Sequence, residues 1–191
     1  MPSGPDELEF FENPAEFEAW LEENADVADE VWIKFAKRAS GVRSLDWAGA
    51  VEVALCFGWI DGQVQRIDNA WHMQRFTPRR AKSTWAKLNR AKVEKLIAEG
   101  RMRPRGLGEV EKAKADGRWD AAYDSPKTAT VPDDLAAALD AAGARATFDA
   151  LNAQNRYAVL HRVQKTTTPA GRAKAIARLV ALVAAGGKLH P

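Results

Sequence analysis

The residues best suited to chemistry in this 191-residue chain are cationic and lie close together in the sequence. Eleven lysines and arginines but only two acidic residues, Glu94 and Glu99, fall in the basic segment, which we define as residues 75–105. The first thirty residues show the opposite pattern, with eleven acidic residues and no lysine or arginine. Because the net charge of the whole chain is only +2, the charges are segregated along the sequence. Such a pattern either steers an anion towards one face or holds two segments of the chain together.

The start of the basic segment has the features of an anion-binding site. A predicted strand ends at Pro78, and residues 79–83, which we call the basic turn, carry two adjacent arginines, a lysine and a serine. We expect Ser83 to cap a helix over residues 84–99, whose N-terminal N–H groups favour a negative charge. Guanidinium groups match the geometry of phosphate and carboxylate groups. The predicted ligand-binding residues are Trp59, Asp61, Arg75, Arg79, Arg80, Lys82, Ser83, Trp85 and Asn89.

Asp61 and Asn89 give this site two further interpretations. Asp61 stands near the start of the strand expected to pair with the one carrying Arg75, so both side chains are predicted to face one cavity. The protein would then be an enzyme acting on a small anionic substrate, with Asp61 as the acid–base residue. In the purely structural alternative, Arg79 and Arg80 pair with the acidic N-terminal helix, Asp61 caps a turn and Asn89 satisfies buried backbone groups.

Tryptophan is unusually frequent, with seven residues in the chain. Their large apolar area predicts core packing for most of them. Trp59 and Trp85 are different because they flank the proposed site. The tryptophans predicted in the core are Trp20, Trp32, Trp47 and Trp119.

Common catalytic motifs are absent from the sequence. It contains no phosphate-binding glycine loop, no G-x-S-x-G motif and no H-E-x-x-H motif, so we expect neither a cofactor nor a metal, and an enzyme is the less favoured interpretation. Cys56 is the single cysteine and is predicted to be an inert core residue. Weak, sequence-independent nucleic-acid binding is a further alternative, because a row of cations interrupted by Glu94 follows the exposed face of the predicted helix. The row consists of Lys87, Arg90, Lys95, Arg101 and Arg103.

Hydrophobic periodicity predicts an α+β fold with a small antiparallel sheet and covering helices, followed by a C-terminal α-helical module. Asn13, with Pro14 after it and Glu16 three residues on, is typical of a helix start, and Asp46 is a second candidate cap. The predicted helices of this part cover residues 14–24, 84–99 and 107–116, with a further helix that Asp46 caps and that stops at Gly58. The predicted strands cover 30–37, 59–67 and 70–77.

A change in composition predicts the domain organisation. The stretch around Ser125-Pro126 contains two threonines and is typical of a linker. The chain beyond it is rich in alanine with helical periodicity. The predicted tail helices cover residues 133–142, 144–152 and 153–163, with a last one that opens at Pro169 and stops at Gly186. The predicted domains are a core over 1–125, a linker over 126–132 and a helical module over 133–191.

Short motifs in order along residues 8–125 carry a family resemblance. They are Gly58-Trp59-Ile60-Asp61-Gly62, the run from Arg75 to Trp85, Asn89, Gly100-Arg101-Met102 and Gly117-Arg118-Trp119. Together they resemble the YdeI/OmpD-associated family of bacteriocin-protection proteins. The tail is similar to the C-terminal module of that family through Phe148, Leu151 and Arg156-Tyr157. The resemblance implies a role in bacteriocin resistance or envelope stress and implies no particular reaction.

The sequence therefore predicts a cytoplasmic, non-enzymatic binding protein of the bacteriocin-protection type. Its expected partner is a small anionic ligand or an acidic protein, held by Arg75, Arg79, Arg80 and Ser83, with nucleic acid less favoured. The cytoplasmic location is expected because no run of eighteen apolar residues occurs and the N-terminus is acidic, unlike a secretory signal.

Overall fold

Three antiparallel strands form the predicted sheet in a computed structural model that describes residues 7–166 and 168–190. The last strand in the sequence is the central one of the sheet. It pairs with the first strand on one side and with the second strand, its hairpin partner, on the other. The strands are β1 (Val31–Ala36), β2 (Trp59–Arg66) and β3 (Trp71–Pro78).

Two helices that begin at predicted caps cover one face of this sheet. They are α1 (Pro14–Asn24) and α2 (Trp47–Cys56). The Asn13 side chain accepts a hydrogen bond from the N–H of Glu16 at 3.1 Å, and the N–H of Gly49 donates to Asp46 at 2.7 Å. The Phe17 ring of α1 packs against Phe76 of β3 with ring centres 5.7 Å apart. Both caps are thus confirmed, because a cap depends only on residues three positions apart.

Two further helices follow the sheet, at positions different from those predicted. They are α3 (Lys87–Ala98) and α4 (Pro104–Ala115). The predicted helix start at residue 84 is wrong, because Ala86 instead forms an isolated bridge to Tyr123. The second helix begins three residues before the predicted one, with Pro104 in its first turn, where a missing N–H is tolerated.

The chain divides into two units, and α3 contributes residues to both. The first unit lies within Met1–Ser83 and Ala91–Asp116, and the second lies within Thr84–Arg90 and Gly117–Pro191. The predicted core starts at residue 1 and the predicted helical module ends at residue 191, and both of these residues are outside the described ranges. Among the helices that the structure describes, none is long and apolar enough to cross a membrane.

The second unit contains the predicted alanine-rich helices. Their apolar positions meet in one core, in which Phe148 and Leu135 are completely buried. The C-terminal helical part of the α+β fold is thereby confirmed. Its helices are α5 (Asp133–Ala141), α6 (Arg145–Asp149), α7 (Ala153–Gln164) and α8 (Pro169–Ala184).

The tryptophans are arranged differently from the prediction. Trp59 and Trp85, predicted to flank a site, are completely buried, at 0% and 2% exposure. Of the four tryptophans predicted in the core, Trp119 is buried, Trp47 is 44% exposed and the other two are half-buried. The number of tryptophans therefore predicts a large aromatic core but not which of them belong to it.

Cys56 lies at the end of α2 and is only 2% exposed. Burial raises the pKa of its thiol to about 11, so the nucleophilic thiolate is scarce near neutral pH. We expect the native protein to react with a thiol-specific disulfide reagent at about pH 8 at least about a hundredfold more slowly than the urea-unfolded chain. Equal rates in the two states would contradict a buried, inert cysteine.

Candidate anion-binding site

The basic turn is closed by hydrogen bonds within itself and to the start of β2. The N–H of Arg79 donates to the carbonyl oxygen of Gly58 at 2.9 Å. The N–H of Arg80 donates to the Ser83 hydroxyl at 3.0 Å, and the N–H of Ser83 donates to the carbonyl oxygen of Arg80 at 2.9 Å. Arg79 is 7% exposed, whereas the Arg80 and Lys82 side chains are exposed. The turn therefore presents two cations from a backbone that is fixed on both sides.

The start of α3 does not complete this turn as an anion site. Its first residue is Lys87, four positions after Ser83, and the Ser83 hydroxyl is engaged by Arg80. The predicted combination of a capping serine and helix N–H groups is therefore wrong. Trp85 and Asn89 belong to the second unit, where the Trp85 ring packs against Trp119 at 4.9 Å and Asn89 is half-buried on α3.

Arg75 and Asp61 lie on opposite faces of the sheet, and the prediction of a shared cavity is wrong. In the register of the strands, Arg75 faces Trp32, whereas Asp61 faces Phe76, the residue next to Arg75. Because neighbouring residues of a strand point to opposite faces, the two side chains cannot meet. The Arg75 guanidinium instead forms an ion pair with Glu30.

The Asp61 carboxylate has a structural role in the first unit. Its Oδ2 accepts one hydrogen bond from the Trp47 indole at 3.2 Å and another from the Gln74 amide at 3.1 Å. Gln74 is 7% exposed, so the carboxylate satisfies a buried polar group. The nearby Trp59 indole points elsewhere and lies 3.4 Å from the carbonyl oxygen of Ala25.

The last two arginines of the basic segment are neutralised by acidic N-terminal residues. Arg103 contacts Glu18 at 3.0 Å and Glu22 at 2.6 Å. Arg105 forms an ion pair with Asp26. The alternative that the two charged segments hold each other together is confirmed for these residues, although the arginines involved are not the ones predicted.

Arg80 and Lys82 are different from these neutralised cations. Within the described residues, neither forms an ion pair with a carboxylate, and both side chains are exposed. In place of the several converging guanidinium groups that the sequence predicts, the site thus contains two exposed cations on one hydrogen-bonded turn.

The second unit contains a cavity that the sequence does not predict. It has a volume of about 620 Å³. Its lining includes Tyr157, His161 and Arg162 from α7, Lys165 directly after this helix, and His190 from the C-terminal segment. We call it the tail cavity. The sequence contains one indication of this cavity. Tyr157, His161 and Lys165 are spaced at intervals of four residues, which places them on one helix face.

The tail cavity shifts the pKa of two of its residues. Burial, with the nearby cations Lys165 and Arg162, lowers the pKa of His161, which favours the neutral imidazole. Burial raises the pKa of the Tyr157 hydroxyl, and neighbouring Tyr123 and Asp124 add to this effect. Both side chains are half-buried, so the helix face lining the cavity is partly shielded from water.

Two family models match separate parts of the chain. Residues 9–109 match a family described as "Domain of unknown function (DUF8412)", and residues 128–186 match one described as "Bacteriocin-protection, YdeI or OmpD-Associated". The predicted resemblance is confirmed for the tail, whereas the motifs before it fall mainly in the other family. No curated protein and no solved structure matches this chain.

Proposed function

Because this chain belongs to the DUF8412 family, whose description assigns no activity, we propose a function from its own residues: non-enzymatic binding of an acidic partner at the basic turn. The description of the family that matches the tail names bacteriocin protection, and we propose that the binding serves such a protective process in the cytoplasm.

One observation carries this proposal. Arg80 and Lys82 are exposed and without a carboxylate partner among the described residues, although the same unit uses its acidic residues to neutralise Arg75, Arg103 and Arg105. Cations left in this state on a hydrogen-bonded turn attract an acidic surface and raise its rate of association. An acidic protein fits better than a small anion, because two solvated side chains on a turn provide little enclosure.

The two alternatives have less support from the geometry. Arg101 and Arg103 belong to the predicted row of phosphate-binding cations, but Glu52 and Glu99 lie within 4 Å of Arg101, and Glu18 and Glu22 hold Arg103. For an enzyme, the proposed acid–base residue already accepts hydrogen bonds from a tryptophan and a buried glutamine. Nucleic-acid binding requires cations that can contact phosphates, and acid–base catalysis requires a carboxylate that can contact the substrate. The residues predicted for these two roles are instead engaged within the protein.

The proposal is tested with Arg80→Glu combined with Lys82→Glu, using a fluorescein-labelled ten-residue polyglutamate peptide as the probe. We expect the double variant to weaken peptide binding by about tenfold at low salt, because two attractive contacts become repulsive. Binding by the unaltered protein should also weaken as salt is added, since exposed charges are screened. Fluorescence anisotropy measures both effects.

The matched control is Arg38→Glu combined with Arg43→Glu, which changes the net charge equally at two exposed residues elsewhere in the first unit. We expect this variant to bind the peptide within about threefold of the unaltered protein. An equal loss of peptide affinity in both variants would show that the net charge alone causes the effect, and would refute a local site. In bacteria challenged with a bacteriocin, expression of the unaltered protein, but not of the basic-turn variant, is expected to improve survival.

A further inference from the structure

The tail cavity has an aromatic wall made of two rings that pack against each other. The rings of Tyr157 and His161 stack with centres 5.5 Å apart and planes inclined by 29°, and the ring of Tyr123 meets His161 edge-on at 4.7 Å. The Tyr157 hydroxyl donates to the carbonyl oxygen of Asp124 at 2.9 Å, which fixes the orientation of this ring. A wall held in place before binding costs little entropy when a flat group packs on it.

Cationic side chains stand beside this wall. Arg162 donates one hydrogen bond from its Nη1 to the carbonyl oxygen of Ala158 at 3.2 Å, which leaves most of the donors of the guanidinium group available. Lys165 follows one turn later and is exposed. No carboxylate is among the described residues that line the cavity. The lining is therefore positively charged and not internally neutralised.

Asp124, an acidic neighbour of Tyr157, is engaged by other partners. The Asp124 carboxylate lies 2.9 Å from the Lys87 ammonium group and also accepts a hydrogen bond from the Gln164 amide at 3.3 Å. The charge of Asp124 is thus balanced by Lys87 and not by Arg162 or Lys165. An incoming anion would meet these cations without having to displace a carboxylate from them.

A buried amide binds the C-terminal segment that contributes His190 to the cavity lining. Asn155 is 1% exposed, and its Oδ1 accepts hydrogen bonds from the N–H groups of Leu189 and His190, both at 2.9 Å. This holds His190 in the cavity lining. The volume of about 620 Å³ lies in the range of small-molecule sites.

We propose that the tail cavity binds a small anion that carries a flat ring. The ring packs on the wall formed by Tyr157 and His161, and the anionic group contacts Arg162 and Lys165. A nucleoside monophosphate and an aromatic carboxylate share this chemistry. The site lies entirely within the second unit and is independent of the proposal for the basic turn.

The binding test compares four probes by isothermal titration calorimetry. Adenosine 5′-monophosphate and benzoate each combine a ring with an anion, whereas inorganic phosphate lacks the ring and adenosine lacks the charge. We expect at least one of the two combined probes to bind about tenfold more tightly than both inorganic phosphate and adenosine. Which of the two binds better identifies the anionic group as phosphate or carboxylate.

The residue test uses Arg162→Gln combined with Lys165→Gln. We expect about a tenfold loss of affinity for the combined probe that binds best, because the cations that face the anion are gone. The matched control is Lys174→Gln combined with Arg178→Gln, two exposed cations of α8 outside the cavity, and its affinity should stay within about twofold. Thermal unfolding of each variant checks that the unit is folded.

The pKa of His161 distinguishes anion binding by the cavity cations from a purely structural role of these cations. Its neighbours are Tyr123, Tyr157, Arg162, Lys165 and, across the cavity, His190. An anion bound to the two cations favours the imidazolium form, so the pKa of His161, followed by nuclear magnetic resonance, should rise when the probe binds. Unchanged titration with bound probe, equal affinity for the ringed probes and phosphate, or full affinity in the Arg162→Gln/Lys165→Gln variant would each overturn the proposal.

Discussion

Replacement of Gly106 by alanine is expected to destabilise the first unit by about 3 kcal/mol. A Cβ atom at this position of α4 would lie 2.2 Å from the carbonyl oxygen of Cys56 and 2.8 Å from its carbonyl carbon. These are backbone atoms at the end of α2, so no side-chain rotation relieves the overlap. The two helices must move apart.

That movement would also break a polar contact between the same helices. The N–H of Arg103 donates to the carbonyl oxygen of Cys56 at 3.0 Å, which joins the start of α4 to the end of α2. The ion pairs of Arg103 and Arg105 with the acidic N-terminal residues depend on the same placement. Urea unfolding followed by tryptophan fluorescence measures the loss, since Trp59 lies in this unit.

Gly108→Ala is the matched control, two residues further along α4. Apart from the backbone of α4 itself and the two chain neighbours, no atom of the described residues lies within 4 Å of a Cβ at this position, so the substitution adds helix propensity without a clash. We expect it to stabilise the protein by about 0.5–1 kcal/mol. If both alanine variants gain stability, the close approach of α4 to α2 is not present in solution.

The elements that the sequence predicted well are those governed by neighbouring residues. The capping residues Asn13 and Asp46 set the starts of α1 and α2, and alternating apolar residues set β1. The tail helices were equally predictable because Thr168 and Pro169 open the last one at its cap and first turn. Such signals act within one or two turns and do not depend on the rest of the fold.

The candidate site could not be predicted in the same way, because its electrostatics depend on contacts distant in the sequence. Arg103 meets Glu18 across eighty-five positions, and nothing local shows which acidic residue neutralises which arginine. The separation of Arg75 from Asp61 follows from the strand register, which shifts after Asp61 by an irregularity in β2. A register difference of one residue moves a side chain to the other face.

Which asparagine is buried could not be predicted from neighbouring residues either. The structural alternative assigned Asn89 to buried backbone groups, but Asn89 is half-buried and Asn155 is the asparagine at 1% exposure. The partners of Asn155 include the backbone of residues 189 and 190, more than thirty positions away. Its role is therefore visible only once the C-terminal segment is placed.

Substitution of Asn155 by alanine is expected to destabilise the second unit by about 3 kcal/mol. The change removes the acceptor of the Leu189 and His190 N–H groups and the donor to the Asn152 side chain. Buried donors without acceptors carry the full cost of lost hydration. Thermal unfolding measures the stability, and hydrogen exchange of the Leu189 and His190 amides reports whether the C-terminal segment has detached.

Two further variants separate hydrogen bonding from simple truncation. Gln154→Ala removes an exposed amide one position earlier and should change the stability by less than about 0.5 kcal/mol. Asn155→Asp keeps the acceptor oxygen, so the Leu189 amide should retain more protection in it than in Asn155→Ala, although the donor to Asn152 is lost. Full protection of both amides in Asn155→Ala would show that another contact holds His190. In that case the wall of the tail cavity would not depend on this buried asparagine.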